Sequence, residues 1–416
     1  IRNNYKASVR KINVMIKFNK QLDKLGTETA FSVSAEANAW KNKGHKVYPF
    51  HLGDLNFQTP SNIREKTVFY MNKNKNGYCP SEGVPELRQA LAKDVGEKRK
   101  TIYNMDNVII QPGGKPTIWK FLASVMNPGD EVLYPNPGYP IYESQINYQG
   151  GIPIPYGYYQ TKNGFNIDLE NILKLITAKT KILILNNYQN PMSASSSYEE
   201  LRTLAALSLK HDLIVLSDDA YYEIRYSKEP PLSILNFKGM KERTVILYTF
   251  SKKFAMTGWR IGASIGPRSI LNQMARFNIN DESCTNHFIQ LALASVLADK
   301  DDGAKNIIER LRKRRDTTVK KLNSISCLDV PYPDSTFYLF PNVTKIMKKK
   351  GYNSLEKFRV DALLKTGVSF CTREHFGSPG QSEDQKYIRL AYSGINSTEI
   401  SEGLDKFISW INRSDV

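Results

Sequence analysis

From Asn107 to Arg276, short apolar runs alternate with stretches whose apolar residues recur at helical spacing. The runs are NVII (107–110), DEVLY (130–134), KILIL (181–185), LIVL (213–216), TVILY (244–248) and IGASI (261–265). Between them lie segments such as KPTIWKFLASVM and SYEELRTLAALSLKH. A strand apolar at consecutive positions is buried on both faces, and parallel strands need helical crossovers to meet. The pattern therefore predicts an α/β domain with a mostly parallel sheet covered by helices. Beyond Lys300 the texture changes. A charged helix is predicted over Asp302 to Leu322, followed by STFYLFPNV, a helix over Ser354 to Lys365, the VSFC run, YIRLAYSG and a last helix over Ser397 to Ile411. Strands and helices without strict alternation predict a second, smaller α+β domain. The first 55 residues hold no self-contained core and are expected to pack beside it. The expected division is 61–300 for the large domain, with 1–60 and 301–416 forming the small one.

Composition narrows the class. At about 150 residues per domain, 416 residues allow two to three domains. With 41% hydrophobic and 24% charged residues, 25 Gly and 20 Pro, the chain is neither disordered, collagenous nor coiled coil. Its longest apolar stretch, Ile289 to Ala298, is about half a bilayer span, so no membrane association is expected. The net charge of +17 invites a nucleic-acid reading, but the positives are dispersed. The densest cluster, ERLRKRRD (309–316), reads as the solvated face of a helix, and no nucleic-acid partner is expected. Four cysteines without CxxC spacing indicate neither a disulfide framework nor a metal site, and a reducing, cytoplasmic setting is expected. The first 25 residues carry seven Lys/Arg against Asp23 but lack the apolar core of a secretory signal. Because the chain opens on Ile1, its true start is expected to lie upstream.

Four segments carry candidate chemistry, each directly after an apolar run. TFSKKFAMTGWRIG (249–262) places Lys252 just past a buried strand, where partial desolvation makes a lysine a Schiff-base nucleophile. Thr249 and Arg260 there suit a phosphate. LIVLSDDAYYEI (213–224) sets Asp218 and Asp219 at a strand's carboxyl end, where α/β ligand sites form, although such acids also serve as helix caps. A carboxylate there can pair with a protonated ring nitrogen, and Tyr221 can reach a ring hydroxyl. In LNNYQNPMSA (185–194), Pro191 restricts Asn190 to an extended or turn conformation that can aim its amide into a cleft or simply make a turn. In IIQPGGKPTIWKF (109–121), Gly113, Gly114 and Lys115 precede a helix start, whose free N–H groups can cradle phosphate. This is neither GxGxxG nor GxxxxGK[ST], so no nucleotide fingerprint is supported.

Taken in order, GGKPTIW, YPNPGYPIY, NNYQNP, SDDAYYE, TFSKKFAMTGWRIG and YIRLAYSG resemble the class I/II aminotransferases, the fold-type I enzymes dependent on pyridoxal phosphate. The likeness runs from about Phe50 to the final helix. It implies a seven-stranded, mostly parallel sheet and transfer of an amino group between an α-amino acid and a 2-oxo acid. It also implies that Lys252 forms the Schiff base and moves the α-proton. Asp218 would hold the pyridine nitrogen protonated, Tyr221 and Asn190 would bond the ring hydroxyl, and Tyr139 would stack on the ring. Gly114, Lys115, Thr249 and Arg260 would cup the phosphate, with Tyr78 reaching it from the partner subunit of a homodimer. Arg389 would grip the substrate carboxylate, aided by the Gly53 N–H and Asn190.

The strings depart from that family in three places. Relatives read NPTG where this chain has Asn190-Pro191-Met192-Ser193, Asp-Glu where it has Asp218-Asp219, and a Gly-Glu-Pro-Asp-Phe-like string at 53–57. The departures at Gly53 and Met192 raise an alternative: a lyase or cyclase on the same scaffold, working by β/γ-elimination or ring closure on a specialised amino acid, an arginine-derived one being an example. A third reading is a regulator using this domain as a ligand sensor. Tyr70, Tyr78 and Trp119 are candidate site aromatics that can equally be core residues.

Overall fold

The computed structural model describes residues 17–26, 29–299, 303–380 and 383–413. Its centre is a seven-stranded sheet ordered Val108–Gln111, Gly262–Ile265, Thr244–Thr249, Ile214–Asp218, Thr180–Leu185, Glu131–Pro135, Ile152–Tyr156. Every predicted run is a strand of this sheet. Gly262–Ile265 alone runs antiparallel to its neighbours. Ile152–Tyr156 was not anticipated. It is an edge strand reading IPIPY, whose prolines lack the N–H that a central strand must donate. The inner strands are buried at nearly every position, which is why they read as unbroken apolar runs.

Helices cover both faces. Lys115–Val125 and Arg268–Asn280 pack over one side, where Ile118, Phe121, Leu271 and Met274 meet Ile184 and Leu247. Tyr198–Lys210 and the apolar helix His287–Leu297 supply two further cores. The Tyr198 helix is opened by a capping box in which the Ser197 hydroxyl accepts from Glu200 N–H and the Glu200 carboxylate accepts from Ser197 N–H.

A separate core joins the chain's two ends. Tyr48–Pro49 pairs in parallel with Val368–Ser369, and Tyr338–Leu339, Ile388–Ala391 and Cys371–Thr372 form a three-stranded sheet. The helices Lys305–Leu322, Leu355–Thr366 and Ser397–Asn412 close over them around Phe358, Phe407 and Trp410. The long helix begins at Lys305; Asp302, its predicted start, and the stretch 1–16 lie outside the described residues.

Glu309, Arg310, Arg312 and Lys313 of ERLRKRRD are exposed as expected, but Arg314 and Arg315 depart from the solvated face. Arg314 is buried, donates to Ser393 O at 2.5 Å, and sits over the Phe57 ring with Arg310 on the same ring. Arg315 donates to Pro333 O and faces the Tyr226 ring. Charge count could not anticipate this, because the guanidiniums are held by carbonyls and aromatic faces distant in sequence. Among the described residues, no helix is long and apolar enough to cross a membrane, and no metal-sized cluster of His, Cys, Asp and Glu occurs.

Candidate active site

A cavity of about 500 Å³ opens where the carboxyl ends of the sheet strands face the small sheet. Gly53, Gly114, Lys115, Tyr139, Asn190, Asp218, Tyr221, Thr249, Lys252, Arg260 and Arg389 all line it. Tyr78 does not; it is 89% exposed on the molecule's outer surface. Tyr70 and Trp119 are not at the cavity either. Tyr70 bonds Ser295 Oγ, and Trp119 packs edge-on to Phe277, so both do packing work.

Strand Thr244–Thr249 delivers Lys252 through a one-turn helix capped by Thr249, and Lys252 Nζ donates to Gly53 O at 2.9 Å. Asp218 ends the next strand. Its carboxylate accepts from the Tyr142 hydroxyl at 2.5 Å and from Ala220 N–H at 3.2 Å. Burial disfavours its charged form and pushes its pKa up to about 6, with the Tyr142 hydrogen bond opposing the rise. Its backbone is held by Asn186, whose Nδ2 donates to Asp218 O. Behind it, Asp219 forms a buried pair with Arg99, whose guanidinium carbon sits 3.6 Å from the Tyr222 ring centroid. The shorter acid at the Asp-Glu position is thus met by an arginine that ends the helix Pro85–Arg99.

At the Gly113–Gly114 turn the positive φ of Gly113 lets the Arg260 guanidinium lie against the backbone; a Cβ there would collide with it. Arg260 donates to Thr257 O and Pro112 O. The helix Lys115–Val125 starts here and aims its first N–H groups at the same corner as Thr249 and Ser251.

The opposite wall comes from the small sheet. Arg389 is 4% exposed and donates to His51 O at 2.5 Å and Asn190 Oδ1 at 3.0 Å. The Tyr338 and Phe376 rings flank its guanidinium, each centroid 4.6 Å away. Tyr338 also bonds the Tyr221 hydroxyl at 2.6 Å, and its own hydroxyl fills the space that a side chain at Gly53 would need. Asn190 follows the strand Thr180–Leu185, and its bond to Arg389 ties the two walls together.

The matching family model is that of "Aminotransferase class I and II", over residues 46–407. The chain belongs to that family. It is 30% identical over 379 residues to a probable aspartate/prephenate aminotransferase of Aquifex aeolicus, covering 90% of this chain and 93% of that one. The solved aspartate aminotransferase of Thermotoga maritima superposes with a TM-score of 0.86 at 26% identity, covering 95% and 100% of the two chains. The aromatic aminotransferase of Pyrococcus horikoshii gives 0.79 at 28% identity, covering 86% and 94%. The protein is thus an aminotransferase of a family that depends on pyridoxal phosphate. These relatives do not favour the lyase or cyclase alternative.

Several residues at the site escaped the sequence reading: Tyr142, Tyr338, Asn186, Ser251, His375 and Phe376. Ser251 stood inside a recognised motif and Tyr142 three residues after Tyr139, so both were within reach of a helical-spacing argument. Tyr338 and His375 arrive from the small sheet and its loops, with no local pattern to mark them.

Proposed function

We propose that this aminotransferase holds pyridoxal phosphate in the cavity and transfers an amino group between an α-amino acid and a 2-oxo acid as a homodimer with shared sites. The observation that carries the reading is a pair of buried, opposite charges facing one space. Asp218 is bonded by the Tyr142 hydroxyl and Ala220 N–H and feels the charge of Lys252, while Arg389 is met by two uncharged acceptors, His51 O and Asn190 Oδ1. Buried charges are stable when paired, so a ligand with a cationic ring at one end and a carboxylate at the other fits. When bound, the cofactor supplies an aldehyde and an electron-withdrawing ring.

The chain's own residues do the rest. Lys252 anchors the cofactor through its amine and moves the proton at the substrate α-carbon. Asp218, oriented by Tyr142 and Asn186, keeps a proton on the ring nitrogen. Tyr221 and Asn190 meet the ring hydroxyl, Asn190 through its Nδ2 because its oxygen serves Arg389. Tyr139 covers the ring face. The N–H groups at Gly114 and Lys115, with Thr249, Ser251 and Arg260, take the phosphate. Arg389 binds the substrate α-carboxylate with the Gly53 N–H beside it.

In this reading residues 61–300 form the cofactor domain, with 1–60 and 301–416 the smaller one. Tyr78 completes a partner's phosphate site; its support is its own exposure, together with that of Val68, Phe69 and Met71 on the helix Ser61–Asn72. The test is conversion of single amino acids to their 2-oxo acids, with simultaneous amination of an added 2-oxo acid, by the pyridoxal-phosphate-loaded protein. Lys252→Ala is expected to lower turnover by about 10⁴-fold or more. A broad screen without transfer overturns the reading, as does a solution mass of one chain for the dimer.

A further inference from the structure

His375 lies on the cavity wall beside Phe376, and nothing above gives it a role. It sits in a turn after the strand Cys371–Thr372, where its Nδ1 accepts from Thr372 N–H at 3.1 Å and meets the Thr372 hydroxyl at 2.7 Å. A ring nitrogen that accepts a backbone N–H carries no proton, so the imidazole proton resides on Nε2. With Nδ1 committed to the turn, the ring edge left for the cavity is the one bearing Nε2–H. Burial lowers the pKa of His375, as do Arg359 and Arg389, against the pull of Glu356, so the ring is neutral at pH 7.

The turn is rigidly placed. Phe376 O accepts from Gly138 N–H, beside Tyr139. Arg373 donates to Gly377 O and forms a two-pronged pair with Glu383. Phe376 itself flanks Arg389. His375 therefore stands near the guanidinium assigned to the α-carboxylate, on the wall carried by the small sheet. With its α-carboxylate on Arg389, a substrate has its side chain as the part free to reach this wall.

We infer that His375 is a specificity residue: a fixed, neutral N–H donor that selects amino acids whose side chain ends in an oxygen acceptor, a carboxylate or carboxamide. The inference rests on the proposed use of Arg389 for the α-carboxylate. A neutral donor adds a directed hydrogen bond that an aliphatic side chain cannot return, and binding the latter leaves the donor desolvated and unpaired.

The test uses inert acids on the cofactor-loaded protein, so that it does not depend on turnover. Dissociation constants for succinate and butyrate are measured for the wild type, His375→Phe and His375→Gln. The expected result is a wild-type preference for succinate that falls about tenfold in His375→Phe and is largely kept in His375→Gln, whose amide retains a donor. A matching loss of kcat/KM for aspartate and asparagine, but not for 2-aminobutyrate, is expected. An unchanged preference in His375→Phe overturns the inference, and so does equal weakening of both acids, since that marks a structural role through Arg389. If the preference behaves as expected but no amino acid yields a 2-oxo acid, the functional reading fails and the recognition role of His375 stands.

Discussion

Asp218 and Arg389 are both buried charges facing one cavity, yet the chain supports them by different means. Asp218 sits at the end of a central strand with a phenol and one backbone N–H for company, and its pKa rises to about 6. An arginine cannot relieve burial by losing its proton, so Arg389 has more around it: a carbonyl, an amide oxygen and two flanking rings. The acid side of the cavity is thus held by a strained ionisation that a cationic ligand relieves, and the basic side by geometry. That contrast says where cofactor binding energy enters: at Asp218, not at Arg389.

The sharpest way to break the comparison is Asp218→Asn. Removing the carboxylate is expected to lower turnover by about 10³-fold while raising the stability of the cofactor-free protein near neutral pH. The sign follows from linkage. The folded pKa is raised from 3.8 to about 6, so the folded state binds more protons between those values and wild-type stability declines as pH rises through that window. The deficit reaches about 3 kcal/mol at most above pH 6. Thermal melts of cofactor-free wild type and variant from pH 4 to 8 should diverge in favour of the variant as pH rises. Parallel curves would mean that the buried carboxylate is not under strain. Loading with pyridoxal phosphate should shrink the gap, because the wild type then gains a cationic ring nitrogen against its carboxylate.

On the other wall, Arg389→Lys keeps the charge and loses the fork. Arg389 serves His51 O and Asn190 Oδ1 from separate nitrogens, whereas an ammonium gathers its three donors on one nitrogen and offers a carboxylate no parallel pair. The expected cost is about 10²-fold in kcat/KM, chiefly through KM, with little dependence on pH. A pH-dependent loss would show that this wall, too, is supported by ionisation.

How much of each wall was legible follows from the same contrast. The Asp218 wall is assembled from strand ends, and each strand announces itself as an apolar run with its polar residue just beyond. LIVLSDD, KILILNNYQN and TVILYTFSKK therefore offered Asp218, Asn190 and Lys252 as candidates. The Arg389 wall is assembled from strands of two to four residues and the turns between them, too short for periodicity. Arg389 was found only through the resemblance of YIRLAYSG to a family, while Tyr338, Phe376 and His375 had no signal. Strand order was equally hidden, since Ile152–Tyr156 reads as a proline-broken edge. Tyr70 and Trp119 were picked by residue type alone and lie elsewhere.

The smallest effect concerns the seam between the walls. Ser193, where relatives carry glycine, adopts φ of 57°, a left-handed conformation that costs a non-glycine residue about 1 kcal/mol. Its hydroxyl donates to Tyr338 O at 2.8 Å and contacts the Thr336 hydroxyl, so it binds the end of the Asn190 loop to the segment carrying Tyr338. Two buried hydrogen bonds of about 1 kcal/mol each offset the strain. Ser193→Gly removes both the strain and the bonds, and stability is expected to change by less than about 1 kcal/mol. Ser193→Ala keeps the strain and strands Tyr338 O, for an expected loss of about 1–3 kcal/mol in urea unfolding. If alanine is as stable as serine, the hydroxyl bonds contribute nothing; if it is no worse than glycine, the left-handed backbone stores no strain. If instead alanine unfolds earlier while kcat/KM changes less than about threefold, the seam carries stability, and the positions of Tyr338 and Arg389 are set by the small sheet itself.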